Sequence, residues 1–331
     1  MRMKKIILLL AALATLASCD KGPKVTLQPW ESYRNPVVQE NVEDPAVLAS
    51  GGKFYVYYNG AGEDDVIPIL ESEDLTGWEG LTPAFNALTA PAPVEGCAIR
   101  SCCVVAWQGE FLMYYTASAA TTGIGVAVAP FPTGPWADAG TVVSTVTDDA
   151  VLVGSPSAYE DAGVLHLVVE TTKGIYSMAL TADGKALASG APVYLASSVF
   201  KAPVMYKHGG KWYLVATTGN VSGAAASTAR VVYGRSDNPE GPFLSKDGGQ
   251  MLDGAVEVLL ESSTKFAGPG SSATPLDLAD GTSWLLYNAY DLTDVSRGRT
   301  LMLDPIQWAD SWMSVRGRIP SFCSDKPDFK K

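Results

Sequence analysis

The sequence predicts an all-β chain folded as one five-bladed β-propeller, and three observations carry that expectation. A glycine turn followed by an aromatic-rich strand occurs five times. A short apolar segment precedes every turn, and in the better-defined units further strands follow. The composition agrees: 47% of 331 residues are hydrophobic, with 14 Tyr, 8 Trp, 32 Gly and 21 Pro scattered along the chain. That mixture suits many short strands joined by tight turns around a large core.

The five copies begin at Gly52, Gly109, Gly163, Gly210 and Gly281, which are 57, 54, 47 and 71 residues apart. They read Gly52-Lys53-Phe54-Tyr55-Val56-Tyr57-Tyr58, then residues 109–115, 163–169, 210–215 and 281–287. Each forms a hairpin with the apolar segment before it. Outer strands follow at residues 123–129, 230–236 and 299–304. Four strands per unit and five units make a propeller. A β-sandwich does not explain hairpin and outer strands recurring in one order five times. The alternating aromatics Tyr55, Tyr57, Tyr114 and Trp212 are read as core, since half-buried strands normally alternate this way.

The ends read differently. Arg2, Lys4 and Lys5 precede an apolar run at residues 6–16, which is too short to span a bilayer. The run closes in Leu16-Ala17-Ser18-Cys19, the form of a bacterial lipobox in which Cys19 is lipidated. The expected division is a leader at 1–18, a lipidated N-terminus and tether at 19–34, the propeller at 35–322 and a tail at 323–331. The expected location is the bacterial cell envelope, membrane-anchored through the N-terminal lipid, on a monomer. Export permits disulfides, but no pairing among Cys97, Cys102, Cys103 and Cys323 follows from the sequence, and buried free thiols are the simpler reading. With no CxxC pair and only His166 and His208, no metal or other cofactor is expected. The net charge of −11, with no basic run beyond the leader, argues against a nucleic-acid partner.

In a propeller the innermost strands line a central channel, and residues at one end of them share a pocket. Counting back from each turn glycine places Asp44, Ser101 and Ser155 eight residues before it, Lys201 nine and Ser271 ten. The last two offsets assume longer turns. Arg100 stands beside Ser101. A lysine with an ordinary pKa of about 10.4 is a poor proton donor at neutral pH, so Lys201 reads as a binder of anions or hydroxyls.

Several motifs are similar to those of glycoside hydrolase family 43. They include Val42-Glu43-Asp44-Pro45, Gly134-Pro135-Trp136, Phe200-Lys201-Ala202-Pro203, Gly268-Pro269-Gly270-Ser271 and Tyr287-Asn288-Ala289-Tyr290-Asp291. The longest runs from Arg299-Thr300-Leu301 through Asp304-Pro305-Ile306-Gln307-Trp308. The resemblance covers roughly residues 40–320. It implies an O-glycosyl hydrolase acting on arabinose- or xylose-containing polysaccharide with inversion. In that family an aspartate base on the first blade activates water. A glutamate acid on the fourth protonates the leaving oxygen, and an aspartate on the third orients the acid.

By the same resemblance Asp44 is the base and Arg299 matches a substrate-contacting arginine. The orienting aspartate is replaced by Ser155, the acid by Lys201 and a last-blade histidine by Ser271. The expected substrate-binding residues are therefore Lys201, Arg100, Ser155, Arg299 and Ser271, and the expected partner is a glycan or oligosaccharide. Arg100, Lys201 and Arg299 facing inward together would make a basic cavity suited to an acidic glycan. A second reading is a non-catalytic glycan-binding lipoprotein on a degenerate hydrolase scaffold. A second pocket carboxylate separates the two, and Glu43, Glu95, Glu170 and Asp291 are the candidates, none at the family's motif position.

Overall fold

The computed structural model describes residues 31–59, 67–85, 98–118 and 122–329. The leader, Cys19, Glu95 and Cys97 lie outside the described residues. Five four-stranded antiparallel sheets follow one another in chain order, and within each the spatial order equals the sequence order. Blade 1 is Glu43–Ser50, Lys53–Asn59, Ile69–Ser72 and Glu79–Leu81. Blade 2 is Ala98–Trp107, Glu110–Ser118, Thr122–Ala129 and Ala137–Val143. Blade 3 is Leu152–Asp161, Val164–Thr171, Gly174–Ala179 and Val193–Ser197. Blade 4 is Lys201–His208, Lys211–Thr218, Arg230–Ser236 and Glu257–Leu260. Blade 5 is Phe266–Asp277, Ser283–Asp291, Arg299–Ala309 and Trp312–Ser314.

Period-two alternation explains the packing, because successive side chains of a strand face opposite sides of the sheet. In the second strand of blade 2, Met113 and Tyr115 join the apolar cluster shared with blade 1, while Leu112 and Tyr114 join the cluster shared with blade 3. Similar clusters fill the seams between blades 3 and 4, 4 and 5, and 5 and 1. Tyr55, Tyr57, Tyr114 and Trp212 are all buried in these seams. No blade buries both faces alone, so the ring folds as a unit.

Each blade is built from one continuous stretch of chain, so no shared strand closes the ring. A strap does it instead. Val37 and Val38 bond to Leu301 and the Val42 N–H donates to the Arg299 carbonyl, which ties the approach to blade 1 onto blade 5. Asn35 adds side-chain bonds to the Leu303 backbone. Outside the strap, Ser32–Arg34 pairs with Cys323–Asp325, so residues assigned from sequence to the tether and the tail contribute a clasp. Cys102 and Cys103 lie in different seams as free thiols, with burial pushing both up, whereas Cys323 is a free thiol on the surface rather than a buried one.

Candidate functional site

All five first strands bulge at one depth. The inter-strand register slips between Glu43 and Ala46, Arg100 and Cys102, Gly154 and Ser157, Lys201 and Val204, and Gly270 and Thr274. At each slip a residue other than glycine takes left-handed backbone angles: Asp44 (φ 46°), Ser101 (32°), Ser155 (48°), Ala202 (46°) and Ser271 (55°). Such residues are uncommon and each conformation costs energy, so a fivefold recurrence at the axis marks a built feature. Bulges re-aim side chains, and these turn one residue per blade toward the channel.

Blade 4 requires a correction. The residue equivalent to Asp44 is Ala202, not Lys201. Ala202 lies eight before Gly210, so that turn is no longer than those of blades 1 to 3. Lys201 occupies the preceding position, level with Glu43 and Arg100, and its side chain is exposed. In blade 5 the offset of ten holds, because Ser272 (φ 51°) extends the bulge and the hairpin from Asp277 to Ser283 is longer.

Three of the expected residues meet directly. The Asp44 carboxylate accepts from Asn59 Nδ2 at 2.9 Å and Ser101 Oγ at 2.9 Å on one oxygen, and from Ser271 Oγ on the other. A carboxylate has about four acceptor positions, so this clamp leaves roughly one for a water molecule. Ser155 joins a second group instead, with its hydroxyl against Glu170.

The supports of the bulges come from the second strands, seven residues after each turn glycine: Asn59, Thr116, Glu170, Thr217 and Asn288. Asn59 Oδ1 accepts from the Ser101 N–H at 2.6 Å, Glu170 Oε2 from the Ala202 N–H at 2.9 Å, and Thr217 Oγ1 from the Ser271 N–H at 2.7 Å. Asn59, Glu170 and Thr217 thereby fasten the bulge of the next blade, and Asn288 Nδ2 donates to the Val42 carbonyl ahead of the blade 1 bulge. Thr116 packs against Gly154, where a Cβ would come within 2.7 Å of its Oγ1, so blade 3 admits only glycine there. Sequence reasoning missed this ring because it tracked only the first strands. The constant spacing of seven was the available signal.

Glu170 is 8% exposed. Burial pushes its carboxyl up and the Asp44 charge adds to that, while the Ala202 N–H, Lys201 and Ser155 pull it down. Glu43 is also raised, first by desolvation at the pocket wall and then by Asp44, with Arg299 and Arg100 opposing. The expected basic cavity is thus corrected to one of mixed charge, with Arg100 acting on Glu43 and Lys201 on Glu170.

Arg299 needs a second correction. It is 4% exposed, and its Nε donates to Asn288 Oδ1, Nη1 to the Val221 carbonyl and Nη2 to the Gly268 carbonyl. A guanidinium so engaged holds blades 4 and 5 beneath the pocket and is not free to grip a ligand. Asp291 is likewise committed, to Thr293 and Lys265. Among the described residues no group of three His, Cys, Asp or Glu converges as a metal cage.

The model of the glycosyl hydrolases family 43 matches residues 33–313. The extracellular endo-alpha-(1->5)-L-arabinanase 1 of Bacillus subtilis is 24% identical over 304 residues, spanning 83% of this chain and 88% of that protein. A beta-xylosidase of Formosa agariphila is 24% identical over 311 residues, spanning 85% of this chain but only 50% of the relative, so the chain covers about half its length. A solved Cellvibrio cellulosa alpha-L-arabinanase complexed with arabinohexaose superposes with a TM-score of 0.72 at 24% identity, over 83% of this chain and 95% of that one.

Proposed function

Because the chain belongs to family 43 of the glycosyl hydrolases, we propose that it hydrolyses O-glycosidic bonds in arabinose- or xylose-containing glycans with inversion, using Asp44 as the base. The observation that carries this reading is the clamp on Asp44. Three donors hold the carboxylate in one orientation at the channel axis and leave an acceptor position for water. Relatives named as an arabinanase and a beta-xylosidase support pentose glycans as the substrate class. Arg100 and Lys201, both exposed, would bind a carboxylate or sulfate group where a glycan carries one.

One observation favours a second reading, in which the chain binds glycan without cleaving it. Lys201 and Ser155 stand where the family carries its acid and the acid's orienting aspartate. Incubating the purified chain with neutral and acidic plant and host glycans, scored for binding and for product, separates the two. Release of arabinose or xylose, or of short oligosaccharides, supports hydrolysis. Binding without release supports the second reading.

Acylation at Cys19 would place the site at the cell envelope. Cys19→Ser then leaves the membrane fraction or stays uncleaved, and wild-type behaviour of that variant rejects the anchor.

A further inference from the structure

We propose that Glu170 is the proton donor of this site, supplying from the second strand of blade 3 the acid that Lys201 cannot supply from blade 4. The inference rests on the hydrolase reading above and names the residue that completes it. Of the carboxylates considered for the pocket and described in the structure, Glu43 adjoins Asp44 on the same strand and cannot flank a scissile bond opposite it. Asp291 is spent on Thr293 and Lys265. Glu170 remains, two blades away from Asp44 around the channel, in contact with Ser155 and beside Lys201. It thus contacts one of the two positions from which the family's acidic pair has disappeared, Ser155, and holds the backbone next to the other, Lys201.

Its backbone role does not require a charge. The same bulge-fastening bond is made by neutral Asn59 toward blade 2 and neutral Thr217 toward blade 5. Only blade 4 is fastened by an acid, and burying a carboxyl for a bond that an amide or hydroxyl makes equally well is costly. The extra proton-carrying capacity is what distinguishes Glu170 from its counterparts. The Ala202 N–H donates to Oε2, the Ser155 hydroxyl also contacts the carboxyl, and the proton is placed on Oε1.

In the reaction, Asp44 takes a proton from the attacking water as its oxygen bonds to the anomeric carbon. The bond from that carbon to the leaving oxygen breaks, and the departing electron pair receives the Glu170 proton. Asp44 ends protonated and Glu170 ionised, and exchange with solvent resets both. No other reactant is needed.

The test compares Glu170→Gln with wild type on unactivated pentose oligosaccharides and on nitrophenyl pentosides, whose leaving group departs without protonation. Glutamine keeps an acceptor for the Ala202 N–H. The expected result is a loss of about 10²–10⁴-fold on the oligosaccharides, the usual worth of general acid catalysis, with a far smaller loss on the nitrophenyl substrates. The basic limb of the pH profile should disappear with the latter. Retained nitrophenyl turnover also shows that the variant is folded. Equal losses on both substrates, rescued by neither Glu170→Asp nor a change of pH, overturn the assignment and leave a structural role. Undiminished oligosaccharide turnover overturns it while leaving the hydrolase reading intact. A wild type inert on every substrate overturns both.

Discussion

The two halves of the pocket are built on one scaffold and differ in chemistry. On the side of blades 1, 2 and 5, a single carboxylate is locked by neutral donors: Asn59, Ser101 and Ser271 all point at Asp44. On the side of blades 3 and 4 the bulge residues are Ser155 and Ala202, and charge enters from elsewhere, through Lys201 one position early and Glu170 from the second strand. The backbone is the same in both halves, down to the left-handed residue in each bulge. Side chains at one depth of a propeller can therefore be exchanged, or replaced from a neighbouring strand, without disturbing the architecture. The sites of greatest departure from the family's motifs need not be the sites without chemistry.

Replacing the locked carboxylate should have the largest effect. Asp44→Asn keeps the shape of the clamp and removes the base, so turnover should fall by about 10²–10⁴-fold on activated and unactivated substrates alike. That uniform loss contrasts with the leaving-group-dependent loss expected for Glu170, and a leaving-group dependence in Asp44→Asn would erase the distinction between the halves.

Next comes the support beneath the clamped half. Arg299→Lys cannot reproduce the planar fork that reaches Asn288, Val221 and Gly268. Losing bonds made by a buried charged group should cost about 2–4 kcal/mol of stability, measurable by denaturant unfolding. A loss of ligand affinity with full stability would instead return Arg299 to the role its motif suggested.

A smaller effect is expected at the seam of blade 5. Asp304 is buried, accepts from Tyr287 and Ser321, and is pushed up to about 6 by that burial. The unfolded chain has an aspartate near 3.9, so between these values the folded state holds the extra proton. The associated stability is fully present below about pH 4 and lost as pH rises through about 6. At neutral pH the ionised seam costs on the order of 2–3 kcal/mol, from roughly two units at 1.36 kcal/mol each. Asp304→Asn should flatten the fall in Tm between about pH 4 and pH 7. An unchanged slope would locate the titration elsewhere.

The smallest effect belongs to Lys201→Ala. Lys201 draws the Glu170 carboxyl down, so removing it should move the basic limb of turnover to higher pH. A loss of turnover as large as that of Glu170→Gln, with the limb of the residual activity unshifted, would make Lys201, not Glu170, the proton donor.

Most of the fold was legible in the sequence because the turn glycines recur in register with aromatic strands, and steric alternation then fixes which side chains fill each seam. The bulge positions of blades 1 to 3 were legible for the same reason, since Asp44, Ser101 and Ser155 share an offset of eight. Blade 4 misled because a charged lysine drew attention one residue away from the constant spacing, and small, silent Ala202 holds the bulge. Glu170 was visible as a candidate pocket carboxylate but not as a support of the blade 4 bulge. Its relation to Asn59 and Thr217 lies in cross-blade hydrogen bonds to backbone, which no single-strand pattern displays. The Arg299 motif was visible as well, but only burial reveals that its donors are already spent.

The most direct test of the account is proton NMR of the first sugar released from a pentose oligosaccharide, run with wild type and Asp44→Asn in parallel. The account predicts product from wild type with the anomeric configuration opposite to that of the substrate, as a water activated by Asp44 requires, and very little product from the variant. A retained configuration, or bound oligosaccharide that is never cleaved, would contradict it.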